Sequence, residues 1–181
     1  MANNAKKYII TAVTLGVIAA ASAGLIGLTN LLTAKQIAKN EQNKIKAGIV
    51  EIFGEEGLVF EGTEINNKEY KYTNYRYDIE GRPSVAFRVT GSNMYGKISM
   101  LVGYNGKLLP GGDDTMYYFF AGIYLITDEQ TYASTLNENY VTPLNNDEIK
   151  YDDVKCGATY GATLIKDMIE ETNSIIGAEK E

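Results

Sequence analysis

"KISMLVGYNGKLLPGGDDTMYYFFAGIYLIT", residues 97–127, decides the fold class. Residues 97–104 are β-rich and apolar, and they run into Asn105-Gly106, the dipeptide that most strongly marks a tight hairpin. The expectation is a strand ending there. Residues 116–127 are almost continuously apolar and rich in aromatic and β-branched side chains, which predicts a central strand buried on both faces. "PGGDD", residues 110–114, reads as the loop between the two runs. Upstream, "SVAFRV", residues 84–89, puts Val85, Phe87 and Val89 on one face. "YKYTNYRYDI", residues 70–79, alternates Tyr70 and Tyr72, then Tyr75, Tyr77 and Ile79. Its phase slips at Thr73-Asn74, which predicts a bulge or turn. Strands of this kind joined by short connections build an antiparallel sheet.

Helical patterns bracket these strands. In residues 35–53, Ile37, Ile45, Ile49 and Phe53 fall on helical spacing, and Gly54 and Gly57 then break it. Near the other end Leu164, Ile165, Met168, Ile169, Thr172, Ile175 and Ile176 share one face. Lys166, Asp167, Glu170, Glu171 and Asn173 share the opposite face, and Gly177 is the stop. The predicted class is α+β: an antiparallel sheet with flanking helices, preceded by one transmembrane helix. The predicted division is a membrane anchor over residues 1–34, a stalk helix over 35–57 and a domain over 58–181.

The anchor is read from residues 8–34, which carry no charged side chain. A spanning helix needs about 20 mainly apolar residues. Gly16, Gly24 and Gly27 suit a membrane helix better than a soluble one. The rival is a cleaved signal peptide, since "ASAG", residues 21–24, resembles a cleavage site. The apolar run continues through Leu25, Ile26, Leu28, Leu31 and Leu32, so a retained anchor in contact with membrane lipid is the expectation. Lys6 and Lys7 precede the run, and Lys35, Lys39, Lys44 and Lys46 follow it. The first flank often dominates, which places the N-terminus in the cytoplasm and the domain outside.

Composition removes several chemistries. The 181-residue chain has no His, which excludes His-based triads and His general bases. Its single cysteine, Cys156, excludes an internal disulfide and a Cys-ligated cluster. Net charge is −6, from 17 basic and 23 acidic residues, so nucleic acid is not an expected partner. Without a redox centre of its own, such a chain must borrow one to carry electrons.

One short segment remains, "DVKCGATYGATLI", residues 153–165. A helix starts near Thr159 or Tyr160, and its first N–H groups lack partners and favour a negative charge. Gly157 and Ala158 let another group approach the backbone. Thr159 could cap the helix or accept a covalent bond. No Gly-Lys-Ser/Thr follows, so this is not a P-loop. Thr163, one turn into the helix, is expected to bond back to the preceding turn.

"DVKCGAT", residues 153–159, resembles the flavinylation motif of the FMN-binding domain family: Asp, two variable residues, Ser or Thr, Gly or Ala, then Ala-Thr. That family includes the RnfG subunit of the Rnf electron-transport complex and the NqrC subunit of the sodium-pumping NADH:quinone reductase. The order of anchor, stalk "TAKQIAKNEQNKIKAGIVEIFGEEG", strand "YGKISMLVGYNGKL" and terminal helix is also similar to the Rnf protein. The resemblance implies an FMN-binding domain fold. It implies covalent FMN, joined by a flavin transferase through a phosphoester to Thr159. Asp153, Gly157 and Ala158 would form the recognition turn, with Cys156 packed beside the cofactor. Cys156 stands where the family has Ser or Thr. The family's Glu-Thr-Pro-Gly loop against the flavin corresponds to "DEQTYAS", residues 128–134, with Thr131 and its neighbours the surviving candidates. The implied function is electron transfer as a subunit of an Rnf-like ion-translocating oxidoreductase, beside other membrane subunits. Alternatives are a stand-alone extracytoplasmic flavoprotein, or a non-redox surface binding domain of the same fold.

Overall fold

A computed structural model describes residues 2–108 and 116–177, with side chains described from residue 7 onward except residue 9. The chain divides into two compact units, Met1–Asn43 and Lys44–Glu181. The helix α1 (Ala2–Phe53), which makes up the described part of the first unit and ends in the second, is long and apolar enough to cross a membrane. Val13, Leu15, Val17, Leu25, Ile26, Leu28, Leu31 and Leu32 are all exposed along it. The hydroxyls of Thr11, Thr14, Thr29 and Thr33 donate to carbonyls one turn back, which satisfies them without water.

The second unit is α+β. Among the described residues, five antiparallel strands lie in sequence order: β1 (Phe60–Glu64), β2 (Thr73–Ile79), β3 (Ser84–Asn93), β4 (Gly96–Leu108) and β5 (Met116–Asp128). A helical stretch follows: α2 (Ala133–Leu136), a π-helical turn (Asn137–Val141) and α3 (Thr142–Asn145). The wide turn precedes Pro143, whose ring would otherwise crowd the carbonyl four residues back. The last helix is α4 (Thr159–Ile176), closed by Gly177 in the left-handed conformation, as the sequence predicts.

Both faces of the sheet are covered, and side-chain alternation sorts residues between them. Val85, Phe87 and Val89 of β3 and Met100, Val102 and Tyr104 of β4 join Leu164, Ile165, Met168 and Ile169 of α4 in one core. Ala86 and Leu101 point the other way, to Ile45, Ile49 and Phe53 at the end of α1. That second contact is close. A Cβ on Gly48 would sit 2.5 Å from the Tyr124 ring, and one on Gly103 would collide with Ile52. The helix ends at Gly54 (φ +70°) and the chain turns again at Gly57 (φ +80°).

Three expectations change. Asn105-Gly106 is not a turn: β4 runs on to Leu108, and Gly106 pairs with Tyr118. Glycine is needed there because the Pro83 carbonyl lies where a Cβ would be. The Asn105 side chain accepts from Ser84 Oγ at 3.0 Å and Arg82 at 3.2 Å, bracing the β2–β3 turn. The loop expected at residues 110–114 lies outside the described residues.

The second change concerns the apolar run 116–127, which is the edge strand β5 rather than a central one. Most of its side chains are only half-buried, whereas Ile98 to Tyr104 of β4 are buried throughout. Its open edge is covered by side chains. Asn145 accepts from Ile123 N–H at 2.9 Å and donates to Ile123 C=O at 2.8 Å, while Lys44 Nζ donates to Ile126 C=O at 2.9 Å.

Third, Tyr70 and Tyr72 precede β2 rather than belonging to it. The phase slip itself is real: the β2–β3 register shifts between Thr73 and Tyr75.

Candidate functional site

Helix α4 starts without a side-chain cap. Ala158 is the N-cap residue (φ −115°, ψ 43°), and a methyl group cannot accept from the first N–H groups. Thr159 is therefore the first helical residue and not the cap, and its side chain is exposed. Thr163, by contrast, donates its hydroxyl to Thr159 C=O at 2.8 Å, as expected. Gly157 has φ +82°, a conformation that a side chain disfavours, and it swings the chain into the helix. Ala158 is buried in the core and anchors the turn.

A cleft of about 260 Å³ opens beside this helix start. Residues 157–161 form one wall; Tyr95, Gln130, Tyr132 and Leu136 form the other. Tyr95 sits in the β3–β4 turn, where its N–H bonds to Asn93 Oδ1 at 2.8 Å. Asn93 Nδ2 in turn donates to Tyr160 C=O at 3.0 Å, tying the turn to α4. The segment after β5 is tied to the same turn. Thr131 N–H donates to Tyr95 C=O at 3.0 Å, and Gln130 Nε2 donates to Gly96 C=O at 2.6 Å. Gln130 N–H itself bonds to Asp128 Oδ1 at 2.9 Å, and burial raises the pKa of that carboxyl.

The structure thus brings Thr159, Ala158 and Gly157 to one cleft, with exposed Thr131 bonded to its Tyr95 wall. Cys156 is half-buried against the core, and its carbonyl accepts from Asn139 Nδ2 at 3.2 Å. Asp153 is exposed and lies on a different, larger groove of about 570 Å³, with Asp147, Glu148 and Asp152 over Phe119, Phe120 and Leu144. Gln130 and Tyr132 are the neighbours of Thr131 in the loop that the resemblance sets against the flavin, whereas Tyr95 and Tyr160 were not singled out as site residues from the sequence. For Tyr160 the only signal was adjacency, since it follows Thr159. Tyr95 had none.

Residues 1–52 match the family model of the RnfG N-terminal region. No curated protein and no solved structure matches the chain. The chain therefore resembles RnfG over its N-terminal helix, and the similarity points to a subunit of an Rnf-type complex. The match ends within α1, so the cleft rests on its own geometry.

Proposed function

We propose that this chain is a single-pass membrane flavoprotein that carries FMN as a phosphoester on Thr159 and passes electrons within an Rnf-like ion-translocating complex. The N-terminus is cytoplasmic and the folded domain extracytoplasmic. One observation carries the reading: an exposed threonine hydroxyl at the uncapped start of an 18-residue helix, beside a cleft, in a chain whose first 52 residues match the RnfG N-terminal region. The sequence motif of residues 153–159 supports the same position.

The local chemistry fits an esterified phosphate. The first N–H groups of α4 have no intrahelical partner, and the helix end favours negative charge by about 0.3–1 kcal/mol. With alanine at the N-cap, no side chain competes for those donors. Exposure of Thr159 leaves its hydroxyl open to a flavin transferase. Asp153 is also exposed, so it can be read by that enzyme without lining the cleft. Gly157 shapes the turn and Ala158 fixes it to the core, while Cys156 packs behind them. When bound, FMN supplies the one- and two-electron chemistry that this side-chain set lacks. The ester holds the cofactor at high effective concentration, which matters where a freely bound flavin would diffuse away.

The test is to make the protein with a flavin transferase, denature it and look for a fluorescent band on a gel. Wild type and Thr163→Val glow, and Thr159→Val is dark. A dark wild-type band, or a band that survives Thr159→Val, sinks the assignment.

A further inference from the structure

Three tyrosines from distant parts of the chain converge at the cleft and pack on one another there. The Tyr95 ring lies 5.2 Å from Tyr160 and 6.1 Å from Tyr132, at tilts of 42° and 56°. Core tyrosines behave differently: Tyr104 is fully buried, whereas Tyr132 is 56% and Tyr160 60% exposed. Two exposed rings and a half-buried one beside a cleft make the surface a flat apolar ligand would cover.

Gln130 adds a second, independent observation. It is only 7% exposed, and its Nε2 donates to Gly96 C=O at 2.6 Å. A backbone carbonyl only accepts, so the amide orientation is set by its partner. Oε1 is left on the cleft side, 3.5 Å from where a Cβ on Gly161 would be. An amide oxygen on the cleft wall can accept from a donor on whatever fills the cleft.

We infer that Tyr95, Tyr132 and Tyr160 hold the faces of the isoalloxazine ring and that Gln130 Oε1 accepts its imide N–H. The inference rests on FMN at Thr159 and adds the residues that position its ring. The ligand class follows from the walls: a conjugated planar ring, apolar on its faces, with an N–H at its edge. The three tyrosines are positioning residues, and they leave a spectroscopic mark. A tyrosine against an excited flavin gives it one electron, and the same electron returns, so the light is lost without net chemistry.

The experiment uses the full chain, flavin-loaded, in detergent. Native fluorescence is several-fold weaker than that of the same sample after denaturation. Tyr132→Leu and Tyr160→Leu each brighten the native protein, and both side chains are exposed enough that the fold survives. Tyr160→Phe keeps the fine structure of the visible flavin band, which reports a held ring, but loses part of the quenching. Gln130→Met blurs that fine structure while circular dichroism stays unchanged. A native sample as bright as the denatured one, or leucine variants that leave it dim, overturns the aromatic clamp while the ester stands. A denatured band without fluorescence instead overturns the ester, and the clamp with it.

Discussion

Glu171 is one carboxylate asked to hold a whole loop. Its Oε1 accepts from Tyr72 N–H at 2.9 Å, Thr73 N–H at 2.7 Å and Thr73 Oγ1 at 2.7 Å, and its Oε2 accepts from Lys71 N–H at 2.6 Å. These bonds tie α4 to the segment that enters β2. Tyr72 and Thr73 are buried, so their N–H groups have no water to turn to once the carboxylate is gone. Each stranded buried donor costs about 1–3 kcal/mol. The Lys71 bond is exposed and counts for less. Glu171→Ala is therefore expected to cost about 3–4 kcal/mol, short of a simple sum because bonds to one acceptor are not additive. Glu171→Gln keeps one acceptor oxygen but turns an NH2 toward an N–H donor, for a cost of about 1–2 kcal/mol. The assay is guanidinium unfolding of the full chain in detergent, followed by near-ultraviolet circular dichroism of the tyrosines. Glu69→Ala, on an exposed loop residue, is the control and should fall within about 0.5 kcal/mol of wild type. A Glu171→Ala midpoint indistinguishable from that control would refute the reasoning.

Two further predictions concern the core. Burial pushes the phenols of Tyr104 and Tyr140 well above the ordinary tyrosine value, so the folded state keeps protons that the unfolded chain releases. Their stability contribution is complete below about pH 10 and declines as pH rises above it, so the unfolding midpoint should drop through that range. Tyr104→Phe should blunt the drop, and it should also cost about 1 kcal/mol at neutral pH by removing the bonds to Thr172 and Asn173. Gly48→Val should cost about 1–3 kcal/mol, because the new Cβ meets the Tyr124 ring at 2.5 Å and Leu101 Cδ1 at 2.8 Å. Thermal unfolding of the detergent-solubilised variant reads it, and an unchanged midpoint would show that the helix–sheet contact relaxes freely.

Some features were legible because they depend on neighbours along the chain. The uncharged run 8–34 is helical in any environment that hides it from water, and α1 carries it. The face Leu164, Ile165, Met168, Ile169 and the stop at Gly177 follow from the 3.6-residue period and the freedom of glycine. The register shift between Thr73 and Tyr75 was written in a broken alternation. The α+β class came with those patterns. Other features needed partners that no local pattern names. Asn105-Gly106 carries a hairpin signature, yet Gly106 serves the close approach of Pro83, and the strand continues. Residues 116–127 look like a central strand because they are apolar, yet most of their side chains are only half-buried. They lie at the edge, where Asn145 and Lys44 bond backbone groups that a sixth strand would have bonded. At the cleft, Thr159 and its glycine turn were readable as a motif beside a helix start. Of the wall opposite, Gln130 and Tyr132 were legible only as neighbours of Thr131, and Tyr95 not at all. Those residues come together only when the β3–β4 turn and the segment after β5 are bonded to each other and to α4. Sequence spacing determines which side chains share a face of one element; only the packing of the elements decides which faces meet.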